Sequence, residues 1–90
     1  MANHLRVAGG PASASDVIDA IRTAIESAVA ESRAEVSGGG GHYNISVVSP
    51  AFAGKSRLEC QRMVLRAVKS LMEGEGAPLH AVDSLVTRVP

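Results

Sequence analysis

The chain has few aromatic residues and one cysteine. Tyr43 and Phe52 are its only tyrosine and phenylalanine, and tryptophan is absent. The core must therefore be built from aliphatic side chains, and there is no row of rings on which single-stranded nucleic acid could stack. One cysteine excludes an internal disulfide framework and a cysteine-only metal site within a single chain, and it points to a reducing compartment.

Long apolar runs and an excess of one charge are also missing. No segment approaches the ~20 apolar residues of a membrane span, so no membrane association is expected, and the start of the chain does not read as a signal peptide. Acidic and basic side chains number 9 each, which excludes a generally cationic surface for nucleic acid. The chain has 90 residues, of which 46% are hydrophobic, and this length and apolar content are enough to form the core of one small domain. We expect a flexible tail over 1–13 and a domain over 14–90.

Two segments carry apolar residues at helical spacing. This pattern predicts a first helix over about 16–30, with Ser15 as its N-cap. A second helix is predicted over about 57–73, opened by a capping box of Ser56 and Glu59. The predicted core face of this second helix consists of Leu58, Gln61, Val64, Leu65, Val68, Leu71 and Met72.

Alternating polar and apolar residues predict the strands. Two strands are expected over 33–37 and 43–48, joined as a hairpin by a mobile loop of four glycines, Gly38 to Gly41. β-Branched residues predict a last strand between His80 and Val89.

The order of these elements is α-β-β-α-β, which belongs to the α/β (α+β) class. A strand, a crossover helix and a second strand favour a right-handed parallel connection within one sheet. The third strand is therefore expected to lie parallel to the second, and the first antiparallel to it. The predicted architecture is a mixed three-stranded sheet with the helices on one face.

His80 and His42 are the residues best suited to bind a metal. His80 stands at the start of the last strand, where a strand end would hold the ring in place, and His42 closes the glycine loop. On pattern alone, each is more often an ordinary hydrogen-bonded or solvated histidine. If the hairpin and the last turn meet, the two rings could converge. Two imidazoles still leave a metal half-coordinated, so a second molecule would have to complete the ligand set.

A basic patch and the cysteine offer further candidates. The residues Lys55, Arg57, Arg62, Arg66 and Lys69 place positive charge on and around the second helix. Such a patch can dock an acidic partner or phosphates, or it can be a solvated face. Cys60 is usually read as a small apolar residue in this setting, and a reactive thiol is the alternative.

Several short sequence motifs between His42 and Ala81, taken together in their order and spacing, resemble those of the BolA family. The stretch Ser49-x-x-Phe52-x-Gly54-Lys55 and the pair His80-Ala81 carry most of the resemblance. The remaining matches are His42-Tyr43, Val47-Val48-Ser49, Gln61-Arg62-Met63-Val64 and Leu79-His80-Ala81.

The resemblance implies a KH-like fold and a monothiol glutaredoxin as partner. In such pairs a [2Fe–2S] cluster is shared with the glutaredoxin and glutathione and is absent from the isolated BolA-like protein. His80 matches the late histidine that the family is thought to use, and His42 is the only donor beside the hairpin loop. The implied function is that of a non-enzymatic adaptor in iron–sulfur cluster assembly and trafficking and in iron homeostasis.

A transcriptional regulator that binds DNA is the alternative, because some BolA-like proteins have that role. Many members carry Arg-His-Arg in the second helix, whereas this chain has Cys60-Gln61-Arg62, which argues against DNA binding here. The expected compartment is the cytoplasm, with the mitochondrial and plastid matrix left open. A weak homodimer is also left open.

Overall fold

The computed structural model describes residues 13–90, and it confirms the predicted order of elements. Those elements are α1 (Ala14–Ala28), β1 (Arg33–Gly39), β2 (His42–Val48), a 3₁₀ turn (Pro50–Phe52), α2 (Arg57–Ala67), α3 (Lys69–Met72) and β3 (Ala81–Arg88). The predicted flexible tail lies outside the described residues except for Ser13. None of the helices in the described part of the chain has the length and apolar character needed to cross a membrane.

The sheet has the predicted mixed topology. Its strand order is β1-β2-β3, with β1 antiparallel to β2 and β3 parallel to β2. One face packs against α1 and α2 around a core that is aliphatic apart from Tyr43, Phe52 and Cys60. The opposite face carries polar side chains such as Asn44 and Ser84, which hydrogen-bond to each other at 2.9 Å. The core consists of Val17, Ile21, Ile25, Val29, Ala34, Tyr43, Ile45, Val47, Phe52, Cys60, Val64, Val68 and Leu79.

The first helix begins earlier than its pattern predicts. Ser13, not Ser15, is the N-cap, and its hydroxyl accepts a hydrogen bond from the backbone N–H of Asp16 at 3.2 Å. The prediction of Ser15 as the cap was wrong because α1 starts at Ala14, which places Ser15 inside the first turn. The capping box of Ser56 and Glu59 at the start of α2 is present as predicted.

Only two of the four glycines form the hairpin turn. Gly38 and Gly39 belong to β1 and pair with Tyr43 and His42. Gly40 and Gly41 make the turn itself, with φ angles of +62° and +87°, and two positive φ angles are what a type I′ hairpin turn requires. The predicted four-residue mobile loop was therefore wrong, because the backbone hydrogen-bonding of the hairpin continues through Gly38 and Gly39.

The predicted second helix is interrupted and turned relative to its expected core face. Helix α2 ends at Ala67, and the short α3 follows after Val68. Leu58, Leu65 and Met72 are exposed, contrary to their assignment to the core. The buried positions of α2 are Cys60 and Val64. Each residue turns a helix by ~100°, so Leu65 lies to one side when Val64 points into the core.

Ser49 joins β2 to the connection that follows α1. Its side chain is fully buried, and its hydroxyl donates to the carbonyl of Ala30 at 2.6 Å. The same oxygen accepts from the N–H of Ala51 at 3.0 Å and so caps the 3₁₀ turn. A single hydroxyl thus fixes where the chain leaves the sheet before α2.

Candidate metal centre at the hairpin turn

The hairpin turn and the start of β3 meet at one end of the sheet. The carbonyl of Gly41 accepts two backbone hydrogen bonds, from the N–H of His80 at 2.8 Å and from the N–H of Ala81 at 3.0 Å. The preceding residue, Leu79, is fully buried and donates its N–H to the carbonyl of Leu71 at 3.1 Å. The backbone that carries His80 is therefore held from two directions.

His80 is exposed, and its ring lies directly over Gly41. The ring also borders a cleft of about 360 Å³ between the hairpin turn and the start of α1, whose walls include Ala14, Val17 and Tyr43. Because the imidazole is at the rim of this cleft and not enclosed in the core, a molecule arriving from solvent can reach it.

His42 is also exposed, but a carboxylate holds its ring. Its Nδ1 lies 3.2 Å from Oδ1 of Asp83, and the His42 side chain is 59% exposed. In the tautomer that donates Nδ1–H to this carboxylate, Nε2 is the nitrogen that can bind a metal. Asp83 lies where the pairing of β2 with β3 shifts register, between Tyr43 and Asn44. In the sequence Asp83 stands close to His80, and local spacing does not reveal that its side chain meets His42 on the neighbouring strand.

The two imidazoles share one end of the sheet but point toward different faces. Successive side chains of a strand alternate between faces, and Tyr43 lies in the core beneath α1. His42 therefore points to the open face, whereas the ring of His80 lies on the side of α1 and Tyr43. Within residues 13–90 there is no group of three or more His, Cys, Asp or Glu side chains arranged to hold a metal.

The cysteine is not part of this site. Cys60 is buried in the core, 5% exposed, with its Sγ 3.8 Å from the carbonyl oxygen of Phe52. The described chain thus offers exposed imidazoles and no exposed thiol. Any further thiolate ligand for a metal at this end of the sheet would have to come from another molecule.

The predicted basic residues are all exposed, but they surround α2 and do not form one compact patch. Arg57 lines a groove together with Arg88, at the end of β3 that is remote from His80. Arg66 borders a cleft between α1 and α2, and Lys69 pairs with Glu73 at 3.7 Å. Since β3 is eight residues long, about 25 Å separates its two ends. The two imidazoles and the N-terminal end of α2 therefore lie at opposite ends of the sheet.

The sequence model for the BolA-like protein family matches residues 17–89, which includes both imidazoles. The chain belongs to the BolA-like family. Solved structures agree with this assignment. A BolA protein homologue from Coxiella burnetii is 35% identical, with a TM-score of 0.66, and the match covers 78% of this chain and 86% of that one.

Two other solved structures have the same fold as this BolA-like protein. BolA1 from Mus musculus is 32% identical with a TM-score of 0.66, covering 92% of this chain and 72% of its own. The XC975 protein is 37% identical with a TM-score of 0.56, covering 81% and 88%. A comparison with curated proteins found no match. The α-β-β-α-β order and mixed sheet predicted from the residue pattern thus match the fold of BolA-like structures.

Proposed function

We propose that this BolA-like protein is a non-enzymatic adaptor that helps carry iron–sulfur clusters and supports iron homeostasis in a reducing compartment such as the cytoplasm. Its partner would be a monothiol glutaredoxin with glutathione, and the cargo a [2Fe–2S] cluster held between the two proteins. The observation that supports this most directly is the exposed imidazole of His80, held at the end of the sheet by the backbone of Gly41.

The ligand set of this chain is consistent with a shared cluster. His80 would supply one ligand, and thiolates from the partner and glutathione would supply others. His42 points to the other face of the sheet, so it would become the second ligand only if its side chain turned around the end of the sheet. An iron held by neutral imidazoles has a higher reduction potential than one held by thiolates, and a protonated imidazole does not bind metal. Such a cluster is easily released, which suits transfer more than storage.

Reconstitution with a purified monothiol glutaredoxin, iron, sulfide and glutathione tests the proposal. The wild-type mixture should give a visible absorption and circular dichroism spectrum distinct from that of the glutaredoxin alone. His80→Ala should lose this spectrum, and His42→Ala should weaken it. The matched control is His4→Ala, which removes an imidazole that lies before residue 13 and should leave the spectrum unchanged. A wild-type spectrum from His80→Ala would contradict the proposal.

Binding of DNA is the second candidate function, supported by the exposed basic side chains of α2. Glu59 is the only acidic residue within Arg57–Ala67. Binding through phosphates should weaken steeply as salt rises. A gel-shift titration at low salt should then show a complex that Arg62→Ala with Arg66→Ala weakens. Absence of a complex at low salt, or an unchanged affinity in the double variant, would exclude this function.

A further inference from the structure

The sheet has two edge strands, β1 and β3, and a side chain covers part of one of them. Glu26 reaches from α1 to the outer side of β1, where its Oε2 accepts the backbone N–H of Ala34 at 2.9 Å. This carboxylate occupies a group that an added strand would need. The edge of β1 is therefore partly closed, whereas within residues 13–90 no side chain is hydrogen-bonded to the backbone of β3.

The backbone of β3 presents hydrogen-bonding groups at the opposite edge of the sheet. The carbonyl of Arg88 accepts from the N–H of Ser49 at 3.0 Å and so points toward β2. Because the backbone groups of successive residues point alternately to the two sides of a strand, those of Leu85 and Thr87 point away from the sheet. An exposed row of this kind is a template for a further strand.

A groove of about 330 Å³ runs along this edge, between β3 and the first half of α2. Its walls are Arg57 and Gln61 of α2 and the residues from Leu85 to Arg88 of β3. The outward backbone groups of β3 are therefore lined by polar and charged side chains from the helix.

Exposed apolar side chains adjoin the groove. Val86 is one of its walls and is 48% exposed. On α2, Leu58 and Leu65 are exposed, and they lie three residues before and four residues after Gln61. Residues at these spacings are neighbours on the surface of a helix, so both leucines lie on the side of α2 that carries Gln61.

The groove is also cationic. Arg57 and Arg88 both line it, and within residues 13–90 neither forms an ion pair. Glu59, the acidic residue nearest to Arg57 in the chain, already accepts the backbone N–H of Ser56 at 2.9 Å. Carboxylates that pair with these two arginines would have to come from another molecule.

A second copy of this chain does not fit this edge. Two copies paired through β3 would be related by a two-fold axis perpendicular to the joined sheet, which places both α2 helices on the same side. Since α2 contacts β3, the two helices would lie over strands that are about 4.8 Å apart. Packed helices need about 8–10 Å between their axes. An extended segment that carries no helix avoids this clash.

We propose that the outer edge of β3 and the adjoining side of α2 form a docking surface for an extended acidic segment of a partner protein, which pairs with β3 as a fourth strand. The backbone of this segment bonds to Leu85 and Thr87, and its carboxylates meet Arg57 and Arg88. In strand addition, backbone hydrogen bonds supply affinity and side chains supply specificity. The groove is at the end of β3 remote from His80, so this second interface does not depend on metal binding there.

Two synthetic peptides with blocked ends test the docking surface: Glu-Glu-Val-Thr-Val-Thr-Val for antiparallel pairing and Val-Thr-Val-Thr-Val-Glu-Glu for parallel pairing. Adjacent side chains of a strand point to opposite faces, so one glutamate can reach Arg57 and the other Arg88. In ¹H–¹⁵N spectra of the full chain, one peptide should shift the amide signals of Leu85 and Thr87 and slow their hydrogen exchange. The same peptide with glutamine in place of glutamate should bind roughly 10-fold more weakly.

Two double variants separate the groove from the overall charge. Arg57→Gln with Arg88→Gln should weaken binding of the glutamate peptide roughly 10-fold. The matched control, Arg22→Gln with Arg33→Gln, removes the same charge from α1 and β1 and should change the affinity less than about 2-fold, because salt screens distant charges. An equal loss in the two double variants would overturn the inference.

Thr87→Pro tests the pairing with the backbone, because it removes an N–H that points away from β2, where an edge strand tolerates proline. It should weaken peptide binding roughly 5-fold, whereas Thr87→Ala should not. If Thr87→Pro does not fold, hydrogen exchange of the Leu85 and Thr87 amides in the wild type decides the point.

Three further outcomes would overturn the inference. The first is a peptide that leaves the amides of Leu85 and Thr87 unchanged. The second is protection of these amides that rises with protein concentration when no peptide is present, which would indicate a second copy. The third is a response of these amides to a short DNA duplex and not to either peptide. None of the measurements requires glutaredoxin or a cluster, so the proposed function can fail while this inference holds.

Discussion

Oδ1 of Asp83 lies 3.2 Å from Nδ1 of His42, which links β3 to an imidazole on β2 that is 41 residues away in the chain. Both side chains are more than half exposed, so the pair contributes about 0–1 kcal/mol to stability. Its effect on the ring is more specific. In the neutral tautomer that donates Nδ1–H to this carboxylate, Nε2 carries the lone pair that can bind metal.

Asp83→Asn should therefore alter cluster binding more than it alters stability. We expect the free energy of unfolding to change by less than about 0.5 kcal/mol. The affinity of the reconstituted glutaredoxin complex for iron should fall roughly 10-fold, the lower end of the effect of losing such a partner. Urea unfolding and the lifetime of the visible spectrum measure the two effects. If His42→Ala shortens that lifetime and Asp83→Asn does not, the carboxylate has no orienting role.

Ser49→Ala should be among the more destabilising changes of a single oxygen atom. The hydroxyl is buried and bonds to both the carbonyl of Ala30 and the N–H of Ala51. Its removal leaves these two backbone groups without that partner, which costs about 1–3 kcal/mol. Urea unfolding measures the loss. Ser84→Ala is the control, because its hydroxyl bonds to Asn44 in an exposed setting, and an equal loss in both variants would contradict the prediction.

The face of α2 that packs on the sheet can be tested with two truncations. Val64 is fully buried, so Val64→Ala should cost about 2 kcal/mol of stability. Leu58 is 55% exposed, so Leu58→Ala should cost less than about 1 kcal/mol although it removes more atoms. Thermal or urea unfolding of the two variants shows which substitution lowers the stability more. A larger loss of unfolding free energy in Leu58→Ala than in Val64→Ala would contradict the observed burial and support the core face predicted from the sequence.

Cys60 should react slowly with alkylating reagents in the folded protein. Its side chain is in the core, and its Sγ faces the carbonyl of Phe52, so the reagent must wait for the structure to open. We expect the alkylation rate to rise by several orders of magnitude in urea, the unfolded chain serving as its own control. A native rate equal to the unfolded rate would revive the alternative of a redox thiol, which the burial of Cys60 argues against.

Local patterns were sufficient for the order of elements and for the family. Apolar spacing along α1, the capping box before α2 and the alternation along β2 each act within a few residues, where the backbone period governs which side chains share a face. The mixed sheet followed from the handedness of crossover connections. The motifs ending in His80-Ala81 indicated the family, and the match over residues 17–89 confirmed it.

The tertiary structure alone decided which residues meet. The burial of Val64 instead of Leu58 depends on how α2 is rotated on the sheet, and the pairing of Asp83 with His42 depends on a register shift between β2 and β3. The contact of His80 with Gly41 depends on two backbone hydrogen bonds across the end of the sheet. Asp83 and His42, and likewise His80 and Gly41, are about 40 residues apart in the chain. Local periodicity cannot show that residues so far apart meet, so their contacts follow only from the packing of the folded chain.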